Sequence, residues 1–281
     1  MVGAGRVGTA VAVLLRRAGH RLTAVSGRGA TRDRAARFLP DVPVVDPGEA
    51  VIGAELVIVG VPDDLIQTVV ASFRNELVAG QWVAHLSGAV GLDALDAARE
   101  QGARRLVVHP LQTVPDVAGA IDRIPGSAIA ITADDDDGYF LGERIADDLL
   151  GEPFRLSDDH RAVYHAAAVF ASNYLVATSA VAAELFAAAG ISDPIRAMMP
   201  LQRATLDNIG QLGPERALTG PAVRGDAGTL ERNLAALAAW KPAAIPAYVV
   251  MARVALDLAE RGGRLTSDRR AACEDVLARW S

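Results

Sequence analysis

Short apolar runs alternate with amphipathic stretches through the first half of the chain, whereas helical periodicity alone continues through the second half. The clearest apolar run is ELVIVGV at 55–61, which is typical of a strand buried on both faces of a parallel sheet. We predict further strands at 21–26, 43–45, 82–86, 106–108, 129–131 and 154–156. Strands that alternate with helices predict an α/β fold, here a Rossmann doubly wound parallel sheet.

The pattern changes after the strand at 154–156, and we place the domain boundary there. Residues 1–156 form the predicted dinucleotide-binding domain, and residues 157–281 form a predicted all-α C-terminal domain. Its helices are predicted at 157–190, 194–212, 228–239, 243–260 and 267–280.

The first of these helices is unusually long. Ser157 or Asp158 is its predicted N-cap, and Gly190 is its predicted C′ residue. At 1.5 Å per residue such a helix spans about 48 Å, more than the width of a small domain. We therefore expect it to pack against a second subunit as well, in a homodimer. The alanine-rich stretch 166–183 is interpreted as a buried helix that is too polar to span a membrane.

Composition narrows the class of partner. A chain of 281 residues is long enough for two domains, and its net charge of −6 and pI near 5.4 argue against nucleic acid and anionic membranes as partners. Small molecules or another subunit fit better. The single cysteine, Cys273, excludes an internal disulfide and fits a reducing compartment, and we expect it to pack within a helix. With no secretory signal pattern, we expect a cytoplasmic protein.

The opening residues predict a nucleotide site. Gly3, Gly5 and Gly8 form a G-x-G-x-x-G turn before the apolar run 10–15, as at the first βα turn of a dinucleotide-binding unit. There the backbone approaches a pyrophosphate, so the expected cofactor contacts are Gly3, Gly5, Arg6, Val7 and Gly8. Only two residues precede Gly3, so either the start lies upstream or the first strand is unusually short.

The end of the second predicted strand indicates which dinucleotide binds. An NAD site usually places Asp or Glu there, whereas this chain has Ser26 and Arg28. Because arginine pairs well with phosphate oxygens, these two residues favour the 2′-phosphate of NADP. In the alternative interpretation, Arg28 and Arg32 form a solvated turn and helix face.

The strand at 55–61 ends where the nicotinamide half of a dinucleotide would lie. Gly60, Val61 and Pro62 are the cofactor contacts predicted at this edge. Asp63 and Asp64 are predicted to cap the next helix rather than to act in acid–base chemistry.

Two later strand ends carry the candidate catalytic groups, Ser87 and His109. Both side chains could hydrogen-bond a carbonyl or alcohol near the nicotinamide, and histidine readily exchanges protons near neutral pH. The alternative for His109 is a structural histidine bonded to a loop carbonyl. His85, inside its strand, is predicted to be a core residue, and the acidic run 134–137 is predicted to be a solvated loop and cap with no metal site.

Two segments of the helical half carry further candidates. His165 and Ser172 are seven residues apart and so share one stripe of a regular helix, with Asn173 beside them. Asn173 is the preferred substrate or nicotinamide contact, while the role of His165 stays open between site and structure. Arg224 could bind a substrate carboxylate or form a structural turn with Asp226.

Several motifs together resemble a known group of proteins. They are the glycine turn, VPD at 61–63, SGA at 87–89, HPLQT at 109–113, YHAAAVFASN at 164–173 and LTGPAVRGD at 218–226. Across almost its full length the chain resembles bacterial Rossmann-like oxidoreductases with a C-terminal domain of unknown function, in the 6-phosphogluconate dehydrogenase-like superfamily. This family is similar to the alternative type of ketopantoate reductase, which implies NADPH-dependent reduction of 2-dehydropantoate to pantoate.

The resemblance also implies roles for particular residues. Ser87 and His109 resemble the Ser and His-Pro that contact the substrate hydroxyl in prephenate and arogenate dehydrogenases. Many superfamily members carry a lysine as general acid on the long helix, but the only lysine here is Lys241, which we expect at the surface. The proton donor is therefore expected to be His109, His165 or a bound water.

The resulting hypothesis is an NADPH-dependent reductase of a small 2-oxo acid, with His109, Ser87 and Asn173 at the reacting oxygen and Arg224 on the carboxylate. An imine reductase of the pyrroline-5-carboxylate reductase type is the second hypothesis. A non-catalytic NADP-binding sensor is the third.

Overall fold

The computed structural model describes all residues, 1–281, and divides them into two compact units, Met1–Asn173 and Tyr174–Ser281. The strands are β1 Leu56–Val59, β2 Trp82–His85, β3 Arg104–Pro110, β4 Ala128–Ala133 and β5 Glu152–Arg155. In the first unit the α-helices are α1 Arg6–Arg17, α2 Thr31–Phe38, α3 Pro47–Val51, α4 Ile66–Ser72, α5 Asp96–Arg99, α6 Val117–Arg123, α7 Asp136–Asp148 and α8 Arg161–Ala168. In the second they are α9 Tyr174–Ala188, α10 Pro194–Leu212, α11 Pro214–Ala217, α12 Pro221–Arg224, α13 Ala227–Trp240, α14 Ile245–Arg261 and α15 Ser267–Ala278.

The five strands form one sheet in the order β1-β2-β3-β4-β5. The first three strands are parallel, β4 runs antiparallel to β3, and β5 is again parallel to β4. The sheet is therefore mixed rather than purely parallel. Because Val59 pairs with His85 and His85 with Val107, the carboxyl ends of β1, β2 and β3 share one edge.

The predicted strands at 21–26 and 43–45 are reduced to isolated bridges. Val2 bridges both Ser26 and Val59, and Val25 bridges Val44, all in parallel orientation. These bridges extend the sheet beyond β1 with the glycine turn at the same edge as the ends of β1 and β2. The Rossmann arrangement is thus present, although the segments around Val2, Val25 and Val44 form only isolated bridges.

The first unit extends further than the predicted boundary after residue 156. Its last segment, 158–173, packs back onto the sheet domain because Arg161 and Asp158 bind the loop that follows β2. A boundary drawn at the change of periodicity could not detect these contacts, since they join residues more than 60 positions apart.

The long helix is not regular. It consists of a 3₁₀ turn at Asp158–His160, then α8, a π-helical turn at Val169–Asn173, and α9. The predicted capping was wrong: Ser157 makes no side-chain capping bond, and the Asp158 carboxylate accepts from the Leu92 amide at 3.1 Å instead. Gly190 follows the helix with a φ of +88°, as predicted for a C′ glycine.

The prediction of a buried helix at 166–183 was also wrong for the single chain. No residue of α9 is buried, and Val176 is 69% exposed. By length and composition alone, Asp158–Ala188 and Pro242–Arg261 qualify as possible membrane spans, which is weak evidence because core helices of soluble proteins qualify too.

Apolar side chains pack on both faces of the sheet, including Leu106 and Ile131 on one face and Phe73 and Leu95 on the other. The second unit has its own core, where Cys273 is buried within α15, as predicted.

Two acidic segments of the first unit, Asp63 with Asp64 and residues 134–137, were predicted to cap helices. Asp63 begins a 3₁₀ turn, Asp63–Leu65, that has no side-chain capping bond, so the predicted cap is absent. In the run 134–137, Asp135 caps α7 by accepting from the Gly138 amide at 2.9 Å. Its neighbours stay exposed to solvent and also form ion pairs with Arg104, Arg105 and Arg155, so the run is a solvated loop and cap, as predicted, with surface ion pairs in addition.

Candidate functional site

The glycine turn builds an anion site at the start of α1. Gly5 is the N-cap residue, no acidic side chain lies in the first turn, and the first N–H groups of a helix lack intrahelical acceptors. The Arg6 side chain is already hydrogen-bonded, since its Nη1 donates to the Pro115 carbonyl at 3.0 Å. The turn therefore presents backbone donors and the positive helix end, which suit a phosphate.

Three glycines allow the backbone to pack closely around this turn. Gly3 has a φ of +83°, and a Cβ there would lie 2.4 Å from Cγ1 of Val61. A Cβ on Gly8 would lie 2.6 Å from the Gly3 carbonyl oxygen, and one on Gly60 would lie 2.8 Å from the same oxygen. Gly5 differs, because its nearest contact would be an ordinary 3.5 Å from the Gly60 carbonyl. Gly5 is thus the glycine with open space, where a ligand could approach.

The two NADP contacts predicted at the end of segment 21–26, Ser26 and Arg28, differ in exposure. Ser26 is buried and its Oγ has no hydrogen-bond partner, while its carbonyl accepts from the amides of Gly3 and Ala4. Arg28 is exposed. No carboxylate occupies this strand end, so the chain's residues fit a 2′-phosphate with Arg28 as the accessible group and Ser26 as a support of the turn.

Arg34 links the glycine turn to α2. Its Nε donates to the Ala4 carbonyl at 2.9 Å and its Nη2 to Thr31 Oγ1 at 3.2 Å. Thr31 Oγ1 in turn donates to the Arg28 carbonyl at 3.0 Å. This chain of bonds holds Arg28 beside the phosphate-binding turn.

His109 lies in β3 and is joined to Tyr164 of α8. The distance between His109 Nδ1 and Tyr164 Oη is 2.8 Å, and the two rings meet edge to face at 85° with centroids 5.6 Å apart. Burial, and next the positive charge of Arg161, lower the pKa of His109 to about 4. His109 is therefore neutral at pH 7, with Nδ1 bonded to Tyr164 and Nε2 lying next to Gly88.

His165 is the second histidine near Gly88. A Cβ on Gly88 would lie 2.8 Å from His109 Nε2 and 3.0 Å from His165 Nδ1, so these nitrogens are at most 5.8 Å apart. His165 Nδ1 is buried without a hydrogen-bond partner. An unpartnered buried nitrogen costs free energy unless a ligand binds it, which favours a site role for His165 over a structural one.

Ser87 organises the loop that carries Gly88. Its Oγ accepts from the amides of Ala89 and Val90 at 3.1 and 3.0 Å. The lone pairs of this hydroxyl thus hold the turn, and its hydrogen is the part left to donate to a ligand.

Arg161 fastens the same loop from α8. It is 1% exposed, its Nε donates to the Val90 carbonyl at 2.6 Å, its Nη1 to Thr132 Oγ1 at 2.9 Å, and its Nη2 to the Ser87 carbonyl. Burial lowers the pKa of Arg161, and no carboxylate forms an ion pair with it. A buried positive charge therefore lies directly behind the candidate site.

His85 supports the loop from β2 and is a core residue, as predicted. Its Nδ1 accepts from the Ser87 amide at 3.2 Å, and its Nε2 bonds the Gly91 carbonyl at 3.0 Å. An amide can only donate and a carbonyl can only accept, so His85 is the neutral Nε2–H tautomer. Burial lowers its pKa to about 4, in agreement with this assignment.

The remaining predicted site residues lie further along the chain. Ser172 and Asn173 belong to the π-helical turn, so the stripe that regular helical spacing predicts for His165 and Ser172 is interrupted. Ser172 is half-buried and Asn173 is exposed. Arg224 lies in the second unit, 62% exposed, with its Nη2 3.9 Å from Asp226 Oδ2. In the same unit, Lys241 forms an ion pair with Glu184.

A cavity of about 340 Å³ also exists in the first unit, lined by Leu15, Leu22 and Leu56 among others. It lies at the amino ends of the strands, away from the glycine turn and His109. Ligands of doubly wound sheets bind at the carboxyl edge, so we do not assign the candidate site to this cavity.

Tyr164, Arg161 and Arg34 are the functional candidates that sequence reasoning missed. Tyr164 and Arg161 share one turn of α8 with His165, at i, i+3 and i+4 from Arg161, so they face the same side. An arginine three residues before a Tyr-His pair on an otherwise apolar helix was the available signal.

Comparison with known proteins supports this architecture. Residues 1–110 match a Rossmann-like domain, and residues 127–255 match DUF2520, a domain of unknown function. The chain therefore carries a Rossmann-like domain followed by a DUF2520 domain, which confirms the resemblance to Rossmann-like proteins with a C-terminal domain of unknown function. The similarity to ketopantoate reductase stays a prediction. A comparison with curated protein sequences found no match.

Solved structures share the fold over nearly the whole chain. A Bacteroides fragilis protein named as a candidate NADP oxidoreductase is 25% identical with a TM-score of 0.77, and the match covers 91% of this chain and 96% of that one. A Thermotoga maritima protein is 22% identical with a TM-score of 0.71, covering 94% and 98%. A pyrroline-5-carboxylate reductase from Coxiella burnetii is 17% identical with a TM-score of 0.57, covering 93% and 96%.

Proposed function

We propose that this chain, a Rossmann-like domain followed by a DUF2520 domain, is a cytoplasmic NADP-dependent oxidoreductase that reduces a small carboxylic acid bearing a C=O or C=N bond. The observation that carries the proposal is the pair of unpartnered imidazole nitrogens, His109 Nε2 and His165 Nδ1, which lie 2.8 and 3.0 Å from the position that a Cβ of Gly88 would occupy. They lie at the sheet edge that also carries the glycine turn, where a nicotinamide would be held. The name of the Bacteroides fragilis neighbour supports the same cofactor.

The residues divide the work as follows. Gly5 and the first turn of α1 would hold the pyrophosphate and Arg28 the 2′-phosphate, while Gly60, Val61 and Pro62 would border the nicotinamide, which supplies a hydride when bound. His109 Nε2–H would donate to the substrate oxygen and stabilise the charge that develops there. Ser87 and His165 would orient the substrate.

The leading substrate is 2-dehydropantoate, reduced to pantoate as a step of pantothenate biosynthesis. This choice rests on the motif resemblance, with Asn173 as the expected substrate or nicotinamide contact and Arg224 as the expected contact for the substrate carboxylate. An imine such as pyrroline-5-carboxylate is the second candidate, which the structural similarity to the Coxiella burnetii reductase favours.

A cofactor and substrate panel tests the proposal. NADPH oxidation is measured with ketopantoate, other 2-oxo acids and pyrroline-5-carboxylate, and NADH serves as the cofactor control. Turnover with a 2-oxo acid supports the first candidate, and turnover with the imine alone supports the second. Tight NADPH binding without oxidation by any compound would overturn the enzyme proposal in favour of an NADP sensor.

We also propose that the protein is a homodimer that covers helices α9 and α10. α9 has no buried residue, α10 has only Met198, and Val176, Leu201 and Leu206 are at least 51% exposed. A helix that is apolar on all sides requires burial, and its one carboxylate, Glu184, is already paired with Lys241. Sedimentation of wild type and Val176→Glu tests this: a dimer that dissociates on substitution supports it, and a monomer or a membrane-associated protein contradicts it.

A further inference from the structure

The two ring nitrogens of His109 have different neighbours. His109 Nδ1 is held by Tyr164 Oη at 2.8 Å, so Nε2 is the nitrogen that faces Gly88. His109 is the only hydrogen-bond partner of the Tyr164 hydroxyl. If His109 Nδ1–H were the donor, the hydroxyl hydrogen would have no acceptor in the protein. Donation from Tyr164 to Nδ1 satisfies both groups and places the ring hydrogen on Nε2.

Tyr164 is also placed next to a positive charge. Burial raises the pKa of Tyr164 to about 12, and the guanidinium of Arg161, three residues earlier on α8, opposes part of this shift because it favours the phenolate. The ring of Phe154 packs edge to face against Tyr164 with centroids 5.9 Å apart. The hydroxyl is thus oriented and partly shielded from water, and Arg161 is the positive group that lies near a phenolate formed there.

Because His109 is neutral, a second group must replace any proton that the ring gives up. The charged and titratable groups that face it are Arg161, His165 and His85, and their interactions with it disfavour the imidazolium. A neutral ring can release its Nε2 hydrogen only if it gains another at Nδ1. The group at Nδ1 is Tyr164.

Resting on the reductase function proposed above, we propose that Tyr164 is the proton source of the reduction and acts through His109. As hydride adds to the substrate carbon, the C=O π bond becomes a lone pair on oxygen. That oxygen takes the hydrogen from His109 Nε2, and His109 Nδ1 takes the hydrogen from Tyr164 Oη. The products are an alcohol, a neutral His109 in the opposite tautomer and a Tyr164 phenolate beside Arg161, which solvent reprotonates. Tyr164 is a positioning and relay residue, since it does not touch the substrate.

The tautomer of His109 tests the inference without any substrate. Protein labelled with ¹⁵N-histidine is examined by long-range ¹H–¹⁵N correlation at pH 7, where His85 provides an internal Nε2–H reference. Wild-type His109 is expected to be the Nε2–H tautomer, and Tyr164→Phe is expected to give a mixture of both tautomers. Tyr248→Phe, which removes a hydroxyl that accepts from Asn233 Nδ2, is the matched control and should leave His109 unchanged. Hydrogen on Nδ1 of wild-type His109 would overturn the relay.

Kinetics then test the relay during turnover. With whichever compound the wild type reduces, Tyr164→Phe should lower kcat by about 10²-fold or more, leave NADPH affinity near normal and increase the solvent deuterium isotope effect. Unchanged kcat and isotope effect in folded Tyr164→Phe would overturn the relay while leaving the reductase proposal intact. If wild type reduces nothing, the reductase proposal and the relay both fail, and the tautomer result then describes a structural bond only.

Discussion

The Nε of Arg161 lies 2.6 Å from the Val90 carbonyl oxygen, across 71 residues of sequence, in a side chain that is 1% exposed. This contact joins the start of the long helix to the loop that carries Gly88. It explains why the first compact unit continues to Asn173, and it places a positive charge behind both site histidines.

Replacing Arg161 should destabilise the protein strongly. Arg161→Met leaves the carbonyls of Ser87 and Val90 without donors, and each buried unpaired group costs about 1 to 3 kcal/mol. We expect Arg161→Met to lower the free energy of unfolding by about 3 kcal/mol, and Arg161→Lys to lower it less because a charged donor remains. Urea unfolding measures both, and a loss below about 1 kcal/mol in Arg161→Met would contradict this role.

Two glycines of the opening turn should respond differently to alanine. Gly3→Ala places a Cβ at positive φ and 2.4 Å from Val61 Cγ1, so the melting temperature should fall. Gly5→Ala meets only an ordinary contact at 3.5 Å, so the fold should persist while NADPH affinity falls about tenfold or more through lost phosphate approach. Calorimetry and fluorescence titration measure the two effects. Equal NADPH affinity in Gly5→Ala and wild type would refute the placement of the phosphate.

Arg28 should determine the preference for NADPH over NADH. Removing a charge-assisted phosphate contact commonly costs about 1.5 to 3 kcal/mol, so Arg28→Ala should reduce the ratio of NADPH to NADH affinity about tenfold or more. Arg32→Ala, an exposed arginine on the adjacent helix, is the matched control and should keep the ratio. A similar loss in both variants would indicate a general charge effect in place of a specific contact.

His109 should be required for turnover but not for cofactor binding. His109→Ala removes the donor to the substrate oxygen, and loss of such a group typically costs about 10² to 10⁴ in rate. NADPH affinity should stay near that of wild type, because no proposed phosphate contact involves His109. His160→Ala changes an exposed histidine and serves as the control. Unchanged turnover in His109→Ala would exclude the assignment.

Stability should fall as the pH is lowered from about 6.5 to about 4. The pKa of His85 and that of His109 are each lowered from 6.5 to about 4 by burial. Between these pH values the two rings bind protons in the unfolded chain but not in the folded chain. For each ring, this favours unfolding by up to about 1.4 kcal/mol for each unit by which its pKa is lowered. Urea unfolding across this pH range should show a shallower dependence in His85→Gln than in wild type or His160→Gln. Parallel curves for all three proteins would disprove the contribution of His85.

Local sequence determined much of the fold, because local physics decides it. The apolar run before Gly60 predicted a buried strand, and the turn at Gly3, Gly5 and Gly8 predicted a close backbone approach. Gly190, which follows the long helix, has the positive φ that a C′ glycine tolerates. These features depend on neighbours within a few residues, so periodicity and turn chemistry reveal them.

Tertiary structure decided the site and the domain boundary. Tyr164 reaches His109 across 55 residues, and Arg161 reaches Ser87 across 74, so no local pattern shows that these side chains meet. The π-helical turn that interrupts the His165 stripe and the exposure of α9 are likewise invisible to a periodicity that assumes regular, buried helices. Sequence alone selected His109 as the candidate catalytic residue, and only the folded chain revealed the Tyr164 hydroxyl bonded to it and the buried charge of Arg161 near it.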